Sequence, residues 1–221
     1  MKTEPASRLL KKLVAKGAPL PIGKRFMDQK VNVVKERLVL DKSTDEYSDG
    51  VYRTPVPMGK VSAFGSHFIS PAHQKSLKNS IDFYVPVGIR IIAPADGTVS
   101  RIIENSNVHG ISTAYWLKGN SISIKCTNGE YIWLEHLQRG FATKLGIRVG
   151  RKVKAGDVIG ISGNTGFTEN PHVHMELNKF IGNPKSKASL DNYMNYMTRR
   201  ARFSKRDIPF DLYKKEARQA H

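Results

Sequence analysis

The segment Pro171-His172-Val173-His174-Met175-Glu176-Leu177 decides the fold. In a β-strand, residues two apart share a face. His172 and His174 then project side by side, while Val173, Met175 and Leu177 turn the other way into a core. A His-x-His pair alone is a moderate metal signal, because chance adjacency on a polar strand face produces the same string. It gains meaning only if other residues converge on it.

They do. In Ile81-Asp82-Phe83 the alternation again reads as strand, with Asp82 facing away from its two apolar neighbours. A carboxylate at the centre of such a strand needs a reason, and a cation is a good one, since buried charges are otherwise paired or neutralised. His73 lies upstream of it, and His136 ends the strand-like run Tyr131-Ile132-Trp133-Leu134-Glu135-His136-Leu137. Two histidines, one carboxylate and an open fourth position make a catalytic type of zinc site, whereas structural zinc takes four protein ligands, usually rich in cysteine. Cys126 is the only cysteine, which excludes an intrachain disulfide as well. It sits in a strand-like alternation and reads as a small packed residue. His109 and His221 read as surface or structural histidines.

Working outward, short strands follow one another from about residue 60 to 182. They are expected at Ile81–Tyr84, Arg90–Ala93, Gly97–Glu104, Ser121–Cys126, Tyr131–Leu137, Lys152–Val153, Val158–Ser162 and His172–Leu177. Turn signals such as Ala95-Asp96-Gly97, Asn128-Gly129 and Ala155-Gly156-Asp157 separate them. This punctuation argues for a mainly β fold, an antiparallel sandwich or barrel and not βαβ units. Three regions result: residues 1–50 as a basic N-terminal extension, 51–184 as the main domain, and 185–221 as a basic, helical C-terminal tail. The N-terminal extension carries Leu9, Leu10, Leu13 and Val14 at helical spacing. Val31–Leu40 reads equally as helix or strand, residues 41–50 as a loop, and Leu190–Arg202 as a basic helix.

The chain has 221 residues, 36 Lys and Arg against 19 Asp and Glu, and a formal charge of +17. The flanks 1–60 and 185–221 each carry a net +6 and residues 61–184 a net +5. That field favours anionic polymers in general: nucleic acid, lipid surfaces or acidic cell-wall polymers. No apolar run approaches the ~20 residues of a spanning helix, and the N-terminus lacks the apolar core of a secretory signal. Neither a recognition helix nor an aromatic platform for nucleic acid is visible, so no specific nucleic-acid partner is expected.

The ordered strings resemble the lysostaphin-type (LytM-like) zinc endopeptidases, cell-wall peptidases with the duplicated hybrid motif. The resemblance covers about Tyr52 to Asn183. It is carried by a histidine, Ile81-Asp82-Phe83 with Pro86-Val87-Gly88, Ala95-Asp96-Gly97, Asn128-Gly129 before Glu135-His136-Leu137, Val153–Gly160, Ser162-Gly163-Asn164-Thr165-Gly166 and Pro171–Leu177. It implies a mostly antiparallel β-sheet groove of the barrel-sandwich hybrid type with short helical extensions. It further implies one Zn2+ per chain held by His73, Asp82 and His174, with His136 and His172 as the catalytic pair. The activity implied is hydrolysis of peptide bonds in the cross-links of peptidoglycan, or of a related anionic wall polymer, by a monomer at the cell wall or outside the cell.

Three features depart from the pattern. His73 and Asp82 are nine positions apart, wider than the family's shortest spacing, which leaves His67 as a rival ligand. Leu134 stands where an aromatic is common, and Phe167-Thr168-Glu169-Asn170 stands where small residues are usual. Glu176 shares the face of His174 as an imidazole partner or an edge residue, and Asn164 and Thr165 are turn residues at the groove. The alternatives are a catalytically weak wall-binding or partner-activating module on the same scaffold, or a biotinyl- or lipoyl-type carrier suggested by Val153–Gly160. A complete ligand set argues against the first. A carrier has no use for five histidine and aspartate positions in register.

Overall fold

The computed structural model describes residues 46–65, 73, 77–191 and 196–208. The amphipathic segment 6–16, Val31–Leu40, His67, His221 and the end of the C-terminal tail lie outside the described residues.

Among the described residues fourteen strands follow in chain order: β1 (Tyr47–Tyr52), β2 (Ala63–Gly65), β3 (Ile81–Tyr84), β4 (Arg90–Ile92), β5 (Gly97–Ile103), β6 (His109–Gly110), β7 (Ser121–Cys126), β8 (Glu130–Glu135), β9 (Lys152–Val153), β10 (Val158–Ile161), β11 (Gly166–Phe167), β12 (His172–Phe180), β13 (Tyr196–Thr198) and β14 (Arg200–Phe203). Among the described residues there are also two short α-helices, α1 (Phe141–Leu145) and α2 (Lys187–Asp191). The main sheet runs β2-β3-β12-β8-β7-β5-β9, with β13 added to the far end of β12. All its pairings are antiparallel. Each expected strand is present, with ends within three residues of those read from the pattern.

The alternation in sequence becomes the two faces of this sheet. Ile81, Phe83, Ile122, Ile124, Ile132, Leu134, Val173, Met175 and Leu177 are buried on one side. There they pack with Ile91 and Ile159 from the antiparallel β4–β10 pair and with Phe141 of α1. Each such side chain contributes about 1.5–3 kcal/mol relative to exposure, so this apolar layer fixes the register of the central strands. A slip by one residue would turn every imidazole into the core.

Three local expectations differ. The 41–50 loop gives way at Tyr47 to β1, which straddles the expected boundary at residue 50 and pairs in parallel with β14. Phe141–Leu145 is helical within a stretch read as strands and turns. Of the segment read as a helix over Leu190–Arg202, Leu190 and Asp191 end α2, and the described residues from Tyr196 onward form β13 and β14. Tertiary packing overrides propensity here. Tyr196 lies 4.8 Å from the Trp133 ring, 5.1 Å from Tyr131 and 5.0 Å from Phe180, and those aromatic contacts hold the segment extended against β12. Arg199, between the two strands, is buried and pairs with Asp49 at 2.9 Å and Glu46 at 3.0 Å. Glu130 lies beside it, and its carboxylate accepts hydrogen bonds from the Tyr52 hydroxyl and from the Asp49 and Gly50 amides.

Candidate metal centre and active site

The polar face of the main sheet is ordered in rows. His174 of β12 stands opposite Asp82 of β3 on one side and Glu135 of β8 on the other. Side chains in such cross-strand positions meet, and here they do. His174 Nδ1 lies 2.8 Å from Asp82 Oδ1, and His73 Nε2 lies 3.1 Å from that same oxygen and 3.3 Å from His174 Nδ1. All three residues are buried. His172, one strand repeat along, points its Nε2 to within 3.5 Å of Asp82 Oδ1. His136 completes the group, its ring 4.5 Å from that of His172 and 5.9 Å from that of His174.

All five residues singled out from the sequence therefore gather at one place. Two overlapping triads, His73–Asp82–His174 and His136–His172–His174, bring their donor atoms within 4.8 Å of one another.

The donor set fits a divalent cation. Two imidazole nitrogens and a carboxylate oxygen crowd together out of water, an arrangement that is repulsive between lone pairs unless a positive charge sits among them. The local field has the matching sign. Burial raises the cost of charging Asp82, but His73 and His172 beside it, with hydrogen bonds to His174 and His73, hold its carboxyl well below the ordinary range. Burial also opposes a charge on His174, yet its contacts with Asp82 and Glu176 outweigh that and push the imidazole up to about 10. Glu176 is buried with Oε1 3.5 Å from His174 Nε2, facing the nitrogen that points away from Asp82. It is thus an imidazole partner and not an edge residue, of the kind that orients metal-binding histidines.

The other two histidines are held differently. His136 Nδ1 is 2.8 Å from the Thr165 carbonyl, and His172 Nδ1 is 2.8 Å from the Asn170 carbonyl. A carbonyl only accepts, so each Nδ1 donates and each Nε2 keeps its lone pair. Burial, reinforced by the neighbouring His172 and His174, holds His136 well below the usual imidazole range. Burial likewise lowers His172, against the opposing pull of Asp82. Both are neutral bases at neutral pH.

His136 sits at φ 64°, the only non-glycine residue at positive φ among those described. Such strain persists only where surroundings enforce it. Asn120 supplies part of that enforcement: its carbonyl accepts from the Leu137 amide, and its Nδ2 donates to the Leu137 carbonyl at 3.2 Å. The Thr165 hydroxyl donates to that same carbonyl at 2.9 Å. Gly166 brings Thr165 close, since at φ 88° any Cβ would fall 2.6 Å from the Gly119 backbone. Asn120, the Thr165 carbonyl and the Asn170 carbonyl are the parts that sequence reading missed. Backbone acceptors leave no residue-type signal, and Asn120 lies in an ordinary loop-to-strand junction. Phe167, at the unusual position after Gly166, packs its ring 5.1 Å from Trp116, and Tyr84 lies 5.2 Å from His172. His109 is exposed, meets Asn164 at 3.2 Å and belongs to neither triad.

Over residues 76–189 the sequence matches peptidase family M23. The chain belongs to that family. The match includes Asp82, His136, His172 and His174, and it begins just after His73. M23 members are zinc metallopeptidases, so the cofactor is zinc, and this cluster is one that could hold it. The glycyl-glycine endopeptidase ALE-1 of Staphylococcus capitis is 30% identical over 145 residues, 63% of this chain and 32% of that protein. The peptidoglycan DD-endopeptidase ShyC of Vibrio cholerae is 29% identical over 160 residues, 67% of this chain and 34% of the relative. The catalytic domain of lysostaphin from Staphylococcus simulans superposes with a TM-score of 0.36 at 25% identity, covering 59% of this chain and 79% of that one. The M23 chain spans about a third of the length of the curated relatives it matches. Among its described residues no helix is long and apolar enough to cross a membrane.

Proposed function

We propose that this M23 chain is a zinc endopeptidase that hydrolyses amide bonds in the peptide cross-links of peptidoglycan, with His73, Asp82 and His174 holding the metal and His136 and His172 handling protons. The observation that carries it is the convergence of three donors on one point beside two neutral, oriented imidazoles.

Zinc at such a centre supplies Lewis acidity, acidifying water and polarising an amide carbonyl. The proton chemistry falls to the chain. With Nδ1–H tied to the Thr165 carbonyl, His136 offers a fixed Nε2 lone pair that takes a proton from the attacking water. His172, tied to Asn170, offers a second Nε2 on the same side. Once one of the pair has taken that proton, its imidazolium donates from Nε2 to the developing oxyanion and passes the proton on to the leaving amine. Asp82, negative and desolvated, keeps the centre selective for cations. The buried walls exclude water from competing hydrogen bonds. This chemistry requires neither a second subunit nor nucleic acid, and we infer a monomer.

The test is metal content with hydrolysis. Purified protein is expected to hold about one zinc per chain and to release amine from cross-linked wall peptides. His174→Ala is expected to lose both. Hydrolysis by a metal-free His174→Ala protein would sink this reading.

A further inference from the structure

The polar face of the main sheet does not end at the metal centre. The row His174–Glu135–Ser121 is followed by Glu176–Trp133–Ser123–Arg101 and then by Asn178–Tyr131–Lys125–Thr98, each set by cross-strand register. A row is two residues along the strand, about 7 Å. Beside the second and third rows lies a cleft of about 300 Å³ lined by Arg101, Lys125, Tyr131, Trp133, Lys187 and Tyr196. Two of its walls come from the C-terminal segment, Tyr196 from β13 and Lys187 from α2. We propose that this cleft is a substrate subsite for a side chain bearing a carboxylate, two residues from the scissile bond; the inference rests on the peptidase reading above.

The chemistry of the walls makes the assignment. Trp133 and Tyr131 are largely buried against Tyr196, with rings 4.8 Å and 5.1 Å from it, and what the three show to the cleft is apolar surface for an aliphatic stem. The rim is cationic: Lys125 and Lys187 are exposed, and the Lys125 ammonium stands 6.0 Å from the Tyr131 ring centre. Arg101, on the row of Trp133, lines the same cleft. Of the nearby acids, Glu135 stands on the row before Trp133, opposite His174, and the others are engaged elsewhere. Glu176 faces His174 and Asn178, and Glu130 is tied to Tyr52 and Asn128. A peptide running along the groove beside β12, with its scissile carbonyl at His174, sets the side chain two residues on against Trp133. There an aliphatic stem meets rings and a terminal carboxylate meets ammonium groups. A neutral amide of the same shape keeps the stem contacts and loses the charge.

The test is a binding titration of zinc-loaded, isotope-labelled protein, followed by NMR, with acetyl-Ala-Glu-Ala-Ala-amide and its Gln counterpart. The carboxylate peptide is expected to shift the Trp133 indole and the Lys125 and Tyr196 amides, and to bind at least about fivefold more tightly than the amide peptide. The double variant Lys125→Gln/Lys187→Gln, both at exposed positions, is expected to keep zinc and melting temperature and to bind the two peptides alike. Equal binding by the wild type, or an undiminished preference in the double variant, overturns the subsite. Because the readout is binding of a peptide without a cross-link, it stands whether or not wall cross-links are cleaved. Failure of hydrolysis and failure of this cleft are therefore separate results.

Discussion

His174 and Asp82 face each other directly across the antiparallel β3–β12 pair, with Nδ1 of one 2.8 Å from Oδ1 of the other. Their contact comes from strand register and not from a flexible loop, so the distance is held by the buried Ile81, Phe83, Val173 and Met175 on the opposite face. Asp82→Asn keeps the shape and removes the charge that the cation needs. Zinc affinity is expected to fall by at least about a hundredfold, the upper range for partners that tune a metal ligand. Competition with a fluorescent chelator measures it, and wild-type affinity in Asp82→Asn would exclude the carboxylate as a ligand.

His73 poses a sharper question, because the family match begins just after it and His67 lies outside the described residues. Its Nε2 sits 3.3 Å from His174 Nδ1 while its partner oxygen is shared. His73→Ala is therefore expected to emerge from purification without zinc, and His67→Ala to carry a full complement. Elemental analysis of the two variants decides between them, with the reverse pattern assigning the ligand to His67.

Much of this centre was legible because strand periodicity is a strong signal. His172, His174 and Asp82 each alternate with core residues, and the apolar layer leaves them one face to occupy. From the strand pattern His136 was legible only as a strand-end histidine, and its role came from the resemblance carried by Glu135-His136-Leu137. Its left-handed backbone and its tie to Thr165 arise from a loop about thirty residues on, where the partner is a carbonyl that any residue possesses. The C-terminal strands were misread for a related reason. Tyr196 packs on Tyr131 and Trp133, which lie more than sixty positions away in sequence, and local spacing carries no trace of that contact. The ion pairs of the buried Arg199 with the exposed Asp49 and Glu46 likewise join distant parts of the chain.

The strained backbone at His136 separates its chemical role from its structural one. Asparagine tolerates the left-handed conformation better than most residues but offers no basic nitrogen. His136→Asn is expected to retain zinc and fold, with kcat lowered about 10²–10⁴-fold, the usual range for loss of a positioned acid–base group. Steady-state kinetics beside a metal assay checks this. A fall of less than about tenfold would transfer the proton work to His172 alone.

Cys126 gives a probe of integrity far from the chemistry. It is buried on β7, and burial first, then the charge of Glu130, pushes its thiol up to about 12. The reactive form is the thiolate, so at pH 8 the folded protein holds almost none and shields the remainder. An unfolded cysteine has a pKa of about 8.5 and is substantially ionised at that pH. The folded chain is thus expected to resist a thiol-specific chromogenic disulfide at pH 8, and to react at one thiol per chain once denatured. Glu130→Gln removes a carboxylate that accepts from Tyr52 and the Asp49 and Gly50 amides. That change is expected to cost about 1.5–3 kcal/mol per charged hydrogen bond lost, lowering the denaturant midpoint at which the thiol becomes reactive. An unchanged midpoint in Glu130→Gln would show that a neutral amide serves Tyr52 and the Asp49 and Gly50 amides as well as the carboxylate does.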